Sequence, residues 1–248
     1  HTAYRRQRQM CIRDRSNPSL KSTQRLHVMD AYRARGHRNN NLWLIYSPKM
    51  NTDWLLPSDR QLVHWIHFLE INPEVKSFDL HPENIISHDQ KEARGTQLDA
   101  IVELTNGKTE WHEVKSTEKD LAEARPQLLA QSSAAAKQGV SYRVFSDNEL
   151  MPHVQSACRW LKAIAFAAAI RDQHQTPTLI ALISRLRDQS DGTVGELLSD
   201  LIDYDESVVM GLLVRYALQS HISLDLTKKP FGRSTRWSWN QRARYVES

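Results

Sequence analysis

Residues 94–117, RGTQLDAIVELTNGKTEWHEVKST, decide the reading of the fold. They predict two short strands, 98–104 and 109–114, joined by a turn at Asn106-Gly107. That pair suits a two-residue hairpin turn, whose central residues both need positive φ. Asp99 stands near the start of the first strand, and Glu113 and Lys115 at the end of the second. Glu113 and Lys115 are two apart, so a strand turns both side chains to one face. The hairpin therefore gathers Asp99, Glu113 and Lys115 at one end of a sheet. Two carboxylates there can hold a divalent cation through oxygen, and the lysine can polarise a water or steady a developing negative charge. A plain solvated hairpin with a cross-strand charge pair would use the same residue types.

Working outward, residues 41–48 (NLWLIYSP) read as a strand and Trp54-Leu55-Leu56 as a second extended piece. A helix capped at Ser58 or Asp59 follows, with Leu62, Trp65, Ile66 and Leu69 on one face. Pro73 ends it, residues 75–80 are extended, and the charged run 89–95 reads as a loop. Beyond Lys115 a helix is expected from about 118 to 139, kinked or split by Pro126. SYRVF (141–145) is a third apolar strand, and strand–helix–strand order predicts a parallel neighbour. Another helix is expected over 151–172, and the polar break 173–178 is the domain boundary.

The last segment changes pattern. Helices are expected over 179–187, over 194–202 behind a Gly192-Thr193 cap, and from Asp205-Glu206-Ser207 through Ala217. HISLDL and STRWSW then pair as a hairpin around KKPFGR. Three helices with a β-wing is winged-helix organisation, which serves DNA or protein partners alike. Lys228, Lys229, Arg233 and Arg236 beside Trp237 and Trp239 suit phosphates, and equally a solvated loop over packed aromatics. The expected division is a basic, disordered tail over 1–40, an α/β domain over 41–175 and a mainly α domain over 176–248. Residues 22–40 also suit a basic arm on DNA.

Composition narrows the classes. Of 248 residues, 40% are hydrophobic and 25% charged, as in ordinary globular domains, and no apolar run reaches membrane-spanning length. The net charge of +4 suits a nucleic-acid partner without requiring one. Cys11 and Cys158 have no metal-ligand spacing and point to a reducing, cytoplasmic setting. His64 and His67, at i and i+3, have no zinc-spaced partners, so they read as packing residues. His112 should face away from Glu113, and Trp111 should share its face.

The D-x(n)-E-x-K pattern resembles the metal site of the restriction-endonuclease-like PD-(D/E)xK nucleases. The wider chain is similar to the TnsA family of transposon endonucleases. The likeness rests on YSPK and the helix after it, on LEINPEVKSFDLHP, on Asp99 with Glu113-Val114-Lys115, on YRVFSDNEL, and on the C-terminal segment. It implies a mixed sheet flanked by helices, followed by a winged-helix domain. It further implies Mg²⁺ (with Mn²⁺ as substitute) on Asp99, Glu113 and the Val114 carbonyl, and Lys115 as catalytic lysine. The implied reaction is hydrolysis of phosphodiesters at the 5′ ends of a transposon. The implied partners are transposon-end DNA, a transposase cutting the 3′ ends, and an AAA+ ATPase regulator held by the C-terminal domain, with no membrane. One departure stands out: the family's helix glutamate has Gln61 or Leu62 in its place, while Asp59 and Glu70 are off position and Glu92, in the loop before the site, stays open as a substitute. This leaves a second reading, a catalytically impaired adaptor bridging transposase, regulator and DNA. A restriction or junction-resolving nuclease, which would cut without partners, is a third.

Overall fold

The structure, a computed structural model, describes residues 41–83, 85–89, 92–172 and 175–240. The expected N-terminal tail or arm and Cys11 lie outside the described residues.

An antiparallel hairpin, β1 (Trp43–Ser47) and β2 (Thr52–Leu56), leads into helix α1 (Asp59–His64). Ser58 caps α1 by accepting the Gln61 N–H. The helix widens into a π-helical stretch over Trp65–Glu70. Leu62, Trp65, Ile66 and Leu69 are all buried, as the spacing requires. The hairpin is latched to the far end of this helix. Ser47 Oγ donates to Glu70 Oε2 at 2.6 Å, and the Lys49 N–H donates to Glu70 Oε1 at 2.9 Å. Lys49 Nζ reaches the carbonyls of Leu69, Asn72 and Val75 at 2.9, 2.8 and 3.2 Å. Leu69 lies in the last turn of the helix, whose carbonyls lack intrahelical partners.

The organising sheet has four strands in the order β3-β6-β7-β8: β3 (Val75–Asp79), β6 (Ala100–Leu104), β7 (Thr109–Val114) and β8 (Ser141–Phe145). The first three are antiparallel neighbours, and β8 runs parallel to β7, as strand–helix–strand order predicts. The chain is thus α/β with a mixed sheet between helices. Residues 89–95 correct the sequence reading. They belong largely to a second hairpin, β4 (Ile85–Asp89) with β5 (Glu92–Thr96), rather than a loop. Cross-strand pairing overrides the low strand preference of its charged residues. The turn between β6 and β7 also differs. Only Gly107 has positive φ (80°), and the Gly107 N–H donates to the Leu104 carbonyl, closing a three-residue loop with glycine in the left-handed position.

Two helices follow β7. Thr117 and Asp120 form a capping box on α2 (Glu118–Glu123), and Pro126 opens α3 (Arg125–Lys137), so the expected helix is split in two. After β8, Ser146 and Glu149 box α4 (Asp147–Leu150), and a 3₁₀ turn at Met151–His153 joins it to α5 (Val154–Ala169). Helix therefore begins four residues before the expected start.

The C-terminal part is α6 (Thr176–Asp188), β9 (Asp191–Thr193), α7 (Val194–Asp200), α8 (Glu206–Leu218), β10 (Ile222–Leu224) and β11 (Arg236–Trp239). Its three strands are antiparallel in the order β10-β11-β9. Two large cores meet on α5: Ala157 and Ile164 pack with α1 and the four-stranded sheet, while Ala163, Ala167 and Ile170 pack with α6, α7 and α8. Gly211 lies so close to α5 that an added Cβ would be 2.7 Å from the Phe166 carbonyl oxygen. Among the described residues no helix is long and apolar enough to cross a membrane.

Candidate active site

Alternation along β6 and β7 sorts their side chains. Ala100, Val102 and His112 turn toward α1, whereas Trp111 turns toward α3, packing with Leu98 and Ala135. Glu113 shares the Trp111 face, as expected, and α3 covers it. Asp99 precedes β6 by one residue and lies beside the end of β7, where its Oδ2 accepts the Val114 N–H at 2.7 Å. Asp99, Glu113 and Lys115 are thereby brought to one corner of the sheet, between the first turn of α1 and the face of α3.

Every carboxylate oxygen in this corner has a donor. Gln61 Nε2 donates to Asp99 Oδ1 at 2.8 Å. Lys115 Nζ is 2.6 Å from Glu113 Oε1, and Gln127 Nε2 is 3.3 Å from the same atom. Gln131 Nε2 donates to Glu113 Oε2 at 3.2 Å. The Glu113 side chain is 3% exposed and that of Lys115 21%, so the lysine stands at the mouth of the corner.

Burial pushes the Asp99 carboxyl up, against the Val114 N–H, Lys115 and Gln61, which favour its charged form. Burial also raises Glu113, the nearby charge of Asp99 adds to it, and Lys115 and Gln131 oppose it. With both acids ionised, two negative charges face one ammonium. The surplus favours a further cation.

Among the described residues there is no group of three or more His, Cys, Asp or Glu side chains able to hold a metal ion. Two carboxylates nevertheless fit Mg²⁺, which takes one or two protein carboxylates and leaves its other positions to water and substrate phosphate. Hard oxygen donors of this kind also accept Mn²⁺.

Asp59 and Glu70 are held elsewhere. Asp59 accepts hydrogen bonds from Asn41 and Trp43, and Glu70 belongs to the hairpin latch. The Glu92 side chain lies outside the described residues. His64 and His112 form a buried pair at 3.0 Å, with His112 also 3.1 Å from Glu110. His67 stacks on His153. Neither pair reaches the corner.

Two of the four C-terminal cations are paired. Arg233 pairs with Glu206, and Arg236 lies 3.3 Å from Asp191. Lys228 and Lys229 are exposed. Trp237 is buried, and Trp239 Nε1 donates to the Leu186 and Gln189 carbonyls, so both rings pack inward instead of facing phosphate.

Sequence reasoning did not find Gln127, Gln131 or Tyr142. The one signal available was that Gln127 and Gln131 are i and i+4 on the helix after the motif, hence on one face.

No protein-family model matches the chain, and no curated protein matches it.

Proposed function

We propose that this chain is a metal-dependent DNA endonuclease of the restriction-endonuclease-like type, acting in a transposition complex on phosphodiesters at transposon 5′ ends. The observation that carries the nuclease reading is the buried corner in which Asp99 and Glu113 meet Lys115. The element order supports it too: a helix, three antiparallel strands, a helical crossover, and a fourth strand parallel to the third. The transposition setting rests on the sequence resemblance alone.

In this reading Asp99, Glu113 and the Val114 carbonyl would hold Mg²⁺. Bound there, the ion would polarise a phosphoryl oxygen and make a bound water more acidic. Val114 and Gln61 fix the rotamer of Asp99 through its two oxygens, so the carboxylate is set before substrate arrives. Lys115, at the mouth, presents an ammonium to an incoming phosphate oxygen or to the attacking water. The α3 face seals the other side of Glu113 from solvent.

The C-terminal segment reads as a winged helix: helix, short strand, two helices, then strand–loop–strand, with the first strand pairing the last. In DNA-reading members of that architecture the third helix enters the major groove. Here that helix is α8, and all its residues from Val209 to Val214 are buried, largely against α5 and α6. This favours a protein partner, such as the ATPase regulator, on the remaining faces of the C-terminal segment.

The adaptor reading keeps one observation in its favour, the neutral Gln61 amide against Asp99. The test is nicking of duplex DNA carrying transposon ends by the full chain, alone and with a partner transposase, in Mg²⁺ or Mn²⁺. Asp99→Asn keeps an acceptor for the Val114 N–H but removes the charge. It should cut at least about a hundredfold more slowly with an unchanged melting temperature. A variant that cuts like wild type would refute the assignment of Asp99, and cutting without any partner would refute the transposition setting.

A further inference from the structure

Gln131 is a costly residue for its position. It is fully buried on α3, where the neighbouring buried position, Ala135, is apolar. A buried amide is tolerated only when its groups are paired, and an apolar side chain there would avoid the requirement. Its partners fix its orientation. Nε2 faces Glu113 Oε2 at 3.2 Å and the Gln97 carbonyl at 3.4 Å, both acceptor oxygens. Oε1 therefore faces the Tyr142 hydroxyl, which donates to it at 2.6 Å. Tyr142 comes from β8, where it pairs in register with Trp111 of β7. Burial and the charges of Glu113 and Asp99 keep its hydroxyl protonated, so it remains a donor. A turn of α3 earlier, Gln127 donates to the other oxygen of Glu113, the one that Lys115 shares.

We propose that Tyr142 and Gln131 are positioning residues. The hydroxyl orients the amide, and the amide holds Glu113 Oε2 inward so that Oε1 is the oxygen presented to Lys115 and to a bound cation. The inference rests on the reading of Glu113 as a cation ligand. Neither residue touches the reacting atoms. Their effect runs through the rotamer of Glu113, in the way that outer hydrogen bonds orient the ligands of metal sites.

The relay predicts a particular pattern in Mn²⁺ titration calorimetry on the full chain. Tyr142→Phe removes one oxygen and leaves the ring in place. It should weaken Mn²⁺ binding about tenfold, and Gln131→Leu should weaken it by about ten- to a hundredfold. Because the two act in series, the double variant should bind no more weakly than Gln131→Leu alone. Gln131→Met serves if the leucine variant does not fold, and melting temperature checks each protein. In cleavage, the loss should fall on the metal dependence and kcat while KM for DNA stays within about twofold. Wild type that binds Mn²⁺ together with a Tyr142→Phe protein that binds it equally well would overturn the relay alone. A purely structural role is the answer if melting temperatures fall while Mn²⁺ affinities stay equal. Absence of Mn²⁺ binding in wild type would overturn the relay together with the cation reading beneath it.

Discussion

Replacing Gln61 with glutamate is the most informative single change in this molecule. Gln61 Nε2 donates to Asp99 Oδ1 at 2.8 Å, so Gln61→Glu removes a donor to a buried carboxylate and sets a second negative charge against it. A hydrogen bond to a charged group contributes about 1.5–3 kcal/mol. Two unit charges some 4 Å apart repel by about 4 kcal/mol at an effective dielectric of 20, although a half-buried residue on the first turn of α1 can swing partly to water. Together these suggest a loss of about 2–4 kcal/mol for the metal-free protein. At about 2–4 °C per kcal/mol for a domain of this size, the melting temperature should drop by about 5–15 °C in chelator. With Mn²⁺ the gap narrows. A third carboxylate joins the corner, affinity rises, and ligand at a hundred times its dissociation constant returns about 2.7 kcal/mol. Melting curves of both proteins, in chelator and in millimolar Mn²⁺, measure all four terms. Equal melting temperatures in chelator would mean that Gln61 does not touch Asp99. A destabilised variant that Mn²⁺ fails to rescue would mean that the corner is not a cation site. If it is rescued, cleavage separates nuclease from adaptor: a wild type that already cuts needs no third acid, whereas a silent wild type made active by Gln61→Glu is an impaired copy.

Two further outcomes test the frame around the corner. Gly211→Ala puts a Cβ 2.7 Å from the Phe166 carbonyl oxygen, so α5 and α8 must part; despite a gain in helix propensity of about 1 kcal/mol, the protein should lose about 1–3 kcal/mol, and a higher melting temperature would refute the packing of α8 on α5. Burial holds His64 well below 6.5, so the unfolded chain binds a proton there that the native state refuses; its cost is absent above pH 6.5 and grows as pH falls below it, by about 1.4 kcal/mol per unit until the native imidazole titrates. In urea unfolding, His64→Gln should flatten the acid slope by about that amount between pH 6 and 5, and an unchanged slope would contradict a neutral His64.

Much of this was legible in the chain itself, for reasons that particular residues make plain. Ser58, Thr193 and Asp205 announce their helices because a cap is a local event between neighbours in sequence. The two strands around Asn106-Gly107 follow from alternation, and Pro126 breaks the helix where its missing N–H demands. What stayed hidden depends on distant partners. The β4–β5 hairpin includes Asp89 and the charged, glycine-ended stretch 92–95, which favour loops, and mutual pairing makes them strands. The π-helical turn leaves the apolar spacing of α1 intact, so periodicity cannot reveal it. His64 and His112 stand 48 residues apart, and neither carries a mark of the other.

The candidate site was half legible, and the hidden half explains the visible one. Charged residues signal themselves in a sequence; amides do not. Asp99, Glu113 and Lys115 could be found as a pattern, but Gln127 and Gln131 could not, though they too donate to Glu113. Their neutrality has a consequence. A corner whose carboxylates were satisfied by arginines would be electrically closed, a stable ion-pair cluster with nothing left to attract a metal. Amides fill lone pairs without cancelling charge. Gln61, Gln127 and Gln131 thus fix both acids in place and, with both ionised, leave the corner one negative charge in excess over Lys115. Pre-positioned acids with an unspent charge are what distinguish a cation site from a salt bridge of the same composition, and that distinction was invisible in D-x(n)-E-x-K.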